Sequence, residues 1–462
     1  MFEGVRGVNM LGKLALRKLV NENFSLLSIL IGIIFVSLSI GPFQNDDTAW
    51  EYQAAVGVVK WGMPYVISWG NIMNQPPVGF YVEALFFKIF GSQINTDVIL
   101  VTLFGLGSIV LVYKIGKELY GKSTGLFAAA LFALTPWELV LSRSFLIDAQ
   151  CLFLSLLCLL VGIIAIRKGS FKLFMVTGVL FAAAFLTKFF AVFMLIPLVL
   201  FYVHFRPKKL KQGSGWFGVF FIPVLLFSLL WYQVISAQGI LHVFQSSDFT
   251  GLNPIGVAPS PFFIGTFLEE FGLGIFFILA VVFSLLICFS FRKTFTKTLT
   301  LDLICVVTIL IILGVDFFLG FNLNLNAPYL NAVKYDYQSL PFFSLLAASL
   351  ASKSVTLFKS AKLKTKLKKA LYFSTAFAGA ILLAATIVYS VLIANVISTL
   401  NYLQLRVGSS FDLGYSFFNY SPIGYFSGLM YLQYLGFVLV LFGLLWTSRH
   451  TLGSLLRLSH NS

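Results

Sequence analysis

The sequence predicts an all-α polytopic membrane protein that crosses the bilayer about twelve times. The chain is 59% hydrophobic and only 11% of its 462 residues are charged, and its mean hydropathy of +0.93 is far above that of soluble domains. Apolar runs long enough to approach a membrane thickness recur along the chain. Clusters of lysine and arginine separate alternate runs, as expected when every second connection lies in the cytosol.

The apolar runs define the predicted spans in chain order. The first run is long and has no small-residue cleavage site, so we interpret it as a span and not as a removed signal peptide. The predicted spans are 24–40, 98–113, 124–140, 146–166, 171–187, 189–203, 217–235, 271–291, 301–318, 337–350, 371–397 and 425–446.

Two of these spans depend on the charge pattern. Residues 171–203 could form one long helix, and 337–350 is short for a crossing. Merging the first pair of spans, or deleting the second segment, would place the later lysine clusters outside. The positive-inside rule therefore predicts a reversal near Lys188 and a crossing at 337–350.

The basic residues also predict the orientation. With the N-terminus in the cytosol, the inner connections collect clusters such as the RPKKLK run at 206–211 and the lysine-rich stretch at 353–369. The net charge of +15 is then explained by the cytosolic membrane surface, without a nucleic-acid partner. We expect a plasma-membrane protein with both termini in the cytosol, its working surface outside and no soluble domain.

The first outer connection, 41–97, is rich in functional side chains. Asp46, Asp47 and Glu51 follow the first span directly. The stretch AWEYQAAVGVVKWG that begins at Ala49 reads as a helix lying in the membrane interface, with its aromatic residues at headgroup level. A site built here would lie within reach of a lipid headgroup, although the three acids could also be an ordinary solvated loop.

Charged residues at span ends are further candidates. Arg143, Lys188 and Lys334 lie at predicted outer ends, where they could converge on an anion or simply extend to lipid phosphates. Asp148 lies one turn inside its span, where an acid is costly unless it faces a partner or a wet cavity; a structural pair with Arg143 is the alternative. Asp316 is either a packing residue or a site residue.

Other chemistry is sparse. Cys151, Cys158, Cys288 and Cys305 all lie in apolar runs, where a thiol is usually a small core residue. The four histidines are scattered, so no histidine metal site is predicted. No cofactor is expected; the outer acids could hold a divalent cation, but their spacing does not require one.

Five motifs in order resemble a known family. They are the acidic pair at 46–47, NQPPVGFY at 74–81, SRSFLIDAQCLF at 142–153, AAAFLTKFFAVF at 182–193 and KYDYQSLPFFSLLAASLA at 334–351. Together they are similar to the integral-membrane glycosyltransferases of the GT-C type, such as protein O-mannosyltransferases and aminoarabinose transferases. The resemblance implies a GT-C core over residues 1–350, followed by transmembrane helices in 351–462.

The resemblance also implies an activity. Such enzymes transfer a sugar, mannose for example, from a polyprenyl or dolichyl phosphate to an acceptor outside the cytosol, with inversion. By this resemblance Asp46 is the general base, with Asp47 as the alternative if the register shifts by one. Asp148 would orient the acceptor or the base.

The phosphate-binding residues follow from the same motifs. Lys188, Lys334 and Tyr335 would hold the lipid phosphate, with Arg143 as an additional candidate. Gln75 departs from the family pattern, which commonly has histidine or lysine before the two prolines. An amide can hydrogen-bond a phosphate but cannot offset its charge, so more of that task would fall on Lys188 and Lys334.

Three rival interpretations remain open. A secondary transporter would use Asp148 and Asp316 to bind a proton or ion, but the halves show no repeat. A lipid-linked polysaccharide ligase or polymerase would share the outward site and the lipid phosphate. A flippase or scaffold without chemistry is disfavoured by the acids after the first span. The expected partners are a lipid-phosphate sugar donor, a protein, glycolipid or polysaccharide acceptor and the bilayer.

Overall fold

The architecture is helical wherever the computed structural model describes the chain. The described residues are 23–38, 43–44, 46–73, 75–92, 94–205, 221, 224–225, 228–229, 282, 292–319, 337–359, 421–422 and 435–444. The helices are α1 (Asn23–Leu38), α2 (Asp46–Trp61), α3 (Val78–Phe90), α4 (Ile94–Tyr120), α5 (Lys122–Ala133), α6 (Pro136–Leu141), α7 (Asp148–Lys168), α8 (Phe171–Phe185), α9 (Leu195–Phe205), α10 (Arg292–Leu319), α11 (Leu340–Lys359) and α12 (Leu435–Leu444).

Short strands and tight helical turns complete the described elements. Strand β1 (Phe43–Gln44) pairs antiparallel with β4 (Ser421–Pro422), and β2 (Tyr65–Val66) pairs antiparallel with β3 (Asn71–Ile72). Two 3₁₀ helices, Phe189–Met194 and Tyr337–Ser339, lead into α9 and α11. The fold is therefore all-α in character, as predicted.

Several helices have the length or apolarity of membrane spans. Among the described residues, Thr96–Tyr120 and Asp148–Lys168 are long and apolar enough to cross a bilayer, with mean hydropathies of 2.3 and 2.6. Shorter apolar helices accompany them. This agrees with a membrane fold, while the count of about twelve spans stays a prediction.

The bundle is centred on α7, whose apolar stretch is 72% buried. α4, α8 and α9 pack against α7, and α5 lies between α4 and α11. The contact of α4 with α5 is close because glycines face each other: a Cβ added at Gly116 would lie 2.7 Å from the Gly125 Cα. Small residues allow this backbone approach in helix pairs.

The predicted reversal near Lys188 is confirmed. A Cβ added at Gly162 of α7 would meet Leu198 of α9 and Thr177 of α8, so the segments before and after the turn lie at the same level of α7. α8 ends at Phe185 and the backbone of Lys188 is extended. One long helix across 171–203 would have placed Thr177 and Leu198 about 30 Å apart.

The predicted span 124–140 is interrupted in the structure. α5 ends at Ala133 and the separate helix α6 begins at Pro136. Proline lacks the backbone N–H that a continuous helix needs and clashes with the preceding turn, but it is well suited to the first position of a new helix. The break at this point brings Glu138 into the site described below.

The first and last described helices run antiparallel. Phe24 contacts Phe442 with ring centroids 6.0 Å apart, and Ser28 Oγ donates a hydrogen bond to the Leu439 carbonyl at 2.6 Å. Gly32 and Gly436 approach backbone to backbone in the same interface. This arrangement agrees with the prediction that the first and last spans cross in opposite directions.

Candidate functional site

The site is built around a buried segment, 142–151, called here the hinge, which comprises the link between α6 and α7 and the first turn of α7. Every residue of this hinge is buried. Its backbone turns sharply, with the Leu146 N–H donating to the Ser144 carbonyl at 2.7 Å. The end of the bundle at which α4 and α7 begin is called here the site end, and the end at which they finish is the far end. Arg167 and Glu118 pair at the far end, so α4 and α7 run parallel.

A buried ion pair lies at the start of α7. Lys188 Nζ is 2.6 Å from Asp148 Oδ2, and the two side chains are 6% and 4% exposed. Asp148 therefore pairs with Lys188, and the predicted alternative pair with Arg143 is wrong. Lys188 does not extend to the lipid surface, because the chain reversal after α8 directs it into the protein.

Arg143 is also buried. Its guanidinium lies 3.4 Å from Thr102 Oγ1, and that hydroxyl donates to the Ser142 carbonyl. Burial lowers the pKa of Arg143 to about 10, which still leaves the side chain protonated at neutral pH. The hinge thus contributes one cation to the site, and the α8 reversal contributes another, Lys188.

A second buried acid contacts the start of α11. The Tyr337 hydroxyl donates a short hydrogen bond to Glu138 Oε2, and both residues are 1% exposed. The next residue, Gln338, donates to Cys151 Sγ at 3.4 Å, one turn after Asp148. The start of α11 is therefore attached to both α6 and α7 at the site end.

The helices α2 and α3, from the connection between α1 and α4, cover this assembly. Glu51 of α2 accepts a hydrogen bond from the Ile147 N–H at 2.8 Å, and the Val78 N–H donates to the Leu186 carbonyl at 2.9 Å. A Cβ added at Gly79 would lie 2.7 Å from Ile147, so α3 packs directly on the hinge. Glu51 is 0% exposed, which contradicts its interpretation as a solvated loop acid.

A group of buried carboxylates lies beneath α2 and α3. Gln150 donates to Glu83 Oε1 at 2.8 Å, and Asp97 and Glu51 lie close enough to Glu83 to act on it electrostatically. Burial first, and then these two like charges, raise the pKa of Glu83 well above its ordinary value. The surroundings of Glu83 therefore favour its protonated form.

The remaining predicted residues are placed less completely. Asp46 and Asp47 are the first two residues of α2, so they open a helix and are not part of a loop as expected. The Gln75 side-chain oxygen is buried, with no hydrogen-bond partner among the described residues. Asp316 belongs to α10.

Three predicted positions lie outside the described residues: Lys334, Tyr335 and Cys288. The other cysteines, Cys151, Cys158 and Cys305, are buried free thiols, as predicted. Within the described part of the chain, no group of His, Cys, Asp and Glu residues has the arrangement of a metal site.

Sequence reasoning missed Glu138, Glu83, Asp97 and Tyr337. The signal for Glu138 was present, since an acid inside an apolar run is a functional candidate by default, and Pro136 two residues before it marks a helix start. Glu83 and Asp97 gave no such signal, because they lie in a connection between predicted spans, where acids are ordinary.

The geometry supports chemistry at a membrane surface. Glu51 from α2, cations from the hinge and the α8 reversal, and Tyr337 from the 3₁₀ helix before α11 lie at one end of an apolar bundle. Carboxylates can accept a proton, and buried cations can hold an oxyanion. The same surroundings exclude water, which strengthens both interactions.

Comparison with known proteins gives a family match that includes the hinge and Lys188, and relatives that match part of the chain. A family model described as dolichyl-phosphate-mannose-protein mannosyltransferase matches residues 74–232. Two Bacillus subtilis (strain 168) proteins named as mannosyltransferases are similar: YycA is 30% identical over 160 residues, 34% of this chain and 23% of YycA, and YkcB is 29% identical over 141 residues, 30% and 20% of the two chains. The matched segment spans less than a quarter of either relative's length.

Two solved structures share the fold. ArnT from Cupriavidus metallidurans bound to undecaprenyl phosphate aligns with a TM-score of 0.51 at 15% identity, covering 93% of this chain and 77% of ArnT. The apo oligosaccharyltransferase of Archaeoglobus fulgidus aligns with a TM-score of 0.50 at 14% identity, covering 83% and 58% of the two chains. At this identity the likeness concerns the fold alone.

Proposed function

Because the matched family, the relatives and the solved structures together indicate a GT-C integral-membrane glycosyltransferase, we propose that this chain takes a sugar from a polyprenyl or dolichyl phosphate. The sugar, a hexose such as mannose, goes to an acceptor hydroxyl of a protein, glycolipid or polysaccharide. Transfer occurs outside the cytosol and inverts the anomeric centre.

One observation carries this proposal: α2, the helix that begins with Asp46 and Asp47, contacts the backbone next to the buried Lys188–Asp148 pair. Glu51 of α2 contacts the Ile147 backbone, and Ile147 is the residue before Asp148. Asp47 precedes Glu51 by four residues, which is about 6 Å along a helix axis. The first turn of α2, which contains Asp46 and Asp47, therefore lies within about one turn of the site.

The acids of α2 supply the base in this proposal. The acceptor hydroxyl attacks the anomeric carbon, and Asp46, or Asp47, takes its proton as the new glycosidic bond forms. Positions at a helix N-terminus favour the ionised form of a carboxylate, which keeps the base ready but weak. Proton transfer is thus expected late, after the sugar–phosphate bond has lengthened.

The cations supply the other half of the reaction. As the bond from sugar to phosphate breaks, its electrons remain on the lipid phosphate, which leaves as an anion and needs positive charge instead of a proton. Lys188 is held by Asp148, with Nζ 2.6 Å from Oδ2, so its position at this end of the bundle is fixed before the donor binds. The proposed phosphate contacts are completed by Arg143, Lys334, Tyr335 and Gln75.

The proposal is tested by a donor screen. Purified wild type, the Asp46→Asn/Asp47→Asn double variant and the control Glu118→Gln are incubated with radiolabelled polyprenyl-phosphate sugars and a membrane extract as acceptor. Glu118 lies at the far end with a 40% exposed side chain, so its variant reports on the loss of an acid outside the site. We expect wild type and control to release free lipid phosphate and the double variant to release about 100-fold less.

Two outcomes would contradict the proposal. If the double variant keeps wild-type release, the base does not lie at the start of α2. If wild type consumes no donor yet supports ion-dependent uptake in vesicles, the transporter interpretation replaces it.

A further inference from the structure

The start of α7 carries two groups with which a helix can cap itself. The residue before the helix is Ile147, whose side chain makes no capping hydrogen bond, and the third residue of the helix is Gln150. In a capping box, a glutamate or glutamine at this third position turns back and accepts a hydrogen bond from the backbone N–H of the residue before the helix. The sequence of α7 therefore offers Gln150 as an acceptor for the Ile147 N–H.

Both groups bind to other helices instead. The Ile147 N–H donates to Glu51 Oε2 of α2 at 2.8 Å, and Gln150 Nε2 donates to Glu83 Oε1 of α3 at 2.8 Å. All four residues are 1% exposed or less, so these groups depend on one another and not on water. Two glutamates from outside the helix thus satisfy the first turn of α7.

We infer that Glu51 and Glu83 are positioning residues: by binding the start of α7 from α2 and α3, they fix the backbone of Asp148 and hence the Lys188 that it holds. The inference rests on the proposed function, because it concerns how the site keeps a cation in place for a lipid phosphate. It assigns a role to two acids that lie outside the five sequence motifs.

The helices α2 and α3 are joined to each other, so the two contacts attach one unit to α7. The Tyr81 hydroxyl of α3 donates to the Gly62 carbonyl, directly after α2, at 2.8 Å. The rings of Tyr52 in α2 and Phe87 in α3 lie 5.6 Å apart, and the buried core that the two helices share also includes Ile147. Two attachment points three residues apart on α7 restrict the rotation of this unit as well as its distance.

The attachment points flank the acid that holds Lys188. Asp148 is the first residue of α7 and lies between Ile147 and Gln150 in the same turn, with Oδ2 2.6 Å from Lys188 Nζ. The N-terminal end of a helix favours a negative charge, as Glu51 provides. Without this acceptor the Ile147 N–H is a buried donor with no bond, and the first turn loosens. Asp148 then no longer holds the ammonium group at one place, and a charge stabilises an oxyanion best when it is held in advance.

Two substitutions at Glu51 separate its hydrogen bond from its charge. Glu51→Gln keeps an acceptor oxygen at the same reach and loses the charge, whereas Glu51→Asp keeps the charge and is one methylene too short to reach the Ile147 N–H. A positioning role predicts that the aspartate variant is the more damaged of the two. If the carboxylate acts through its charge, or as the proton acceptor, the glutamine variant is the more damaged.

The contact of Glu83 with Gln150 can be broken and then restored. Gln150→Glu places a second carboxylate against Glu83 and removes the donor. Adding Glu83→Gln restores one donor and one acceptor, with their roles exchanged. The matched control is Gln53→Ala, because Gln53 Oε1 accepts a hydrogen bond from the Ser68 N–H at 2.9 Å. That bond also joins a side chain of α2 to a backbone N–H, but it does not involve α7.

The experiment uses undecaprenyl phosphate as the probe, with its dissociation constant measured by native mass spectrometry on folded, monodisperse protein. Backbone hydrogen exchange of 142–151 is measured on the same samples without lipid. We expect Glu51→Asp and Gln150→Glu each to raise the dissociation constant about 10-fold and to speed exchange of the hinge by a similar factor, in line with the loss of one positioned hydrogen bond.

The rescue and control variants should behave like wild type. Glu51→Gln, the double variant Gln150→Glu/Glu83→Gln and the control Gln53→Ala should stay within about 3-fold of wild type in both measurements. A purely structural role would lower the amount of folded protein without changing the dissociation constant of what remains.

An unchanged dissociation constant in Glu51→Asp, a greater loss in Glu51→Gln, or no recovery in the double variant would overturn the inference. If wild type binds undecaprenyl phosphate with this pattern but consumes no donor in the screen above, the proposed transfer is contradicted and the positioning role stands. If wild type does not bind undecaprenyl phosphate, the inference and the lipid-phosphate part of the proposed function are both overturned.

Discussion

Two buried lysine–aspartate pairs lie at opposite ends of the bundle, and they have different surroundings. At the site end Lys188 pairs with Asp148, and at the far end Lys353 of α11 pairs with Asp302 of α10. All four residues are 5% exposed or less. Burial and pairing alone therefore do not distinguish a functional pair from a structural one.

The contacts around each pair make the distinction. Asp302 also accepts a hydrogen bond from Ser349 Oγ at 2.9 Å, which joins α10 to α11 by two side chains from one helix. The Lys188–Asp148 pair instead lies beneath α2 and α3, beside the hinge and the buried Arg143. A pair whose partners are helices of the bundle, here α4, α10 and α11, is suited to a structural role, whereas a pair covered by the acid-bearing helices α2 and α3 is suited to hold a substrate.

Replacing both residues of each pair together should give the largest difference in lipid-phosphate release between the two ends of the bundle. Asp148→Asn/Lys188→Met removes both charges together, so no unpaired ion is left buried. We expect lipid-phosphate release per folded molecule to fall by about 100-fold, the usual effect of losing a preorganised charge at an oxyanion. The equivalent far-end variant, Asp302→Asn/Lys353→Met, should stay within about 3-fold of wild type. Equal losses in both would remove the distinction between the ends.

Removing one partner at the far end should affect stability and spare activity. Lys353→Met leaves Asp302 buried without its cation, which typically costs about 3–5 kcal/mol of unfolding free energy. The melting temperature in detergent should fall clearly, while kcat of the remaining folded protein is unchanged. A drop in kcat with an unchanged melting temperature would show that the far-end pair takes part in turnover.

The next largest effect is expected from a change in the packing of α3 on the hinge. At Gly79 an added methyl would lie 2.7 Å from Ile147, so Gly79→Ala should cost about 1–3 kcal/mol through overpacking and lower turnover with it. Gly314→Ala in α10 is the control, since nothing lies within 4 Å of its added Cβ. Gly314→Ala should leave turnover unchanged. It should not lower stability, because alanine is more favourable than glycine inside a helix by about 1 kcal/mol.

The smallest expected effect concerns the buried carboxylates beneath α2 and α3. The pKa of Glu83 is raised above its ordinary value of 4.5 in the folded protein, so the folded state holds this proton more tightly than the unfolded state. The stabilisation from Glu83 is complete below about pH 4.5 and is lost as pH rises through the raised pKa.

Glu83→Gln should therefore flatten the fall in melting temperature as pH rises above the ordinary value of 4.5, and the variant should be more stable than wild type at the upper end of the profile. Glu118→Gln, at the far end, should leave the slope as it is in wild type. If Glu83→Gln leaves the pH profile unchanged, folding does not raise the pKa of Glu83 and the account of this group of carboxylates is wrong.

Much of the fold could be predicted because membrane helices have a strong composition signal. The apolar runs located the apolar helices of the described bundle, and the positive-inside rule correctly placed the reversal at Lys188 where hydropathy alone was ambiguous. The predicted spans 217–235, 271–291 and 371–397 lie largely or wholly outside the described residues. The break before Pro136 was missed because the flanking residues are apolar on both sides, and hydropathy averages over a local change in backbone direction.

The site was predicted less completely, because its contacts join residues that are distant in the sequence. Asp148 and Lys188 were found because charges in apolar runs are conspicuous, but their pairing depends on how α7 and α8 meet. Glu51 was taken with its two neighbours as one acidic group, although it faces inward to the Ile147 backbone. The contact of Glu138 with Tyr337 joins residues 199 positions apart, which no local pattern reveals.

Photocrosslinking would test most directly whether the site end handles the lipid phosphate. A polyprenyl phosphate with a photoreactive group next to the phosphate is bound to wild type and irradiated, and the labelled peptides are identified by mass spectrometry. We predict labels in 142–151, around Lys188 and just before α11. Labels concentrated instead around Asp302 and Lys353 would contradict the placement of the site.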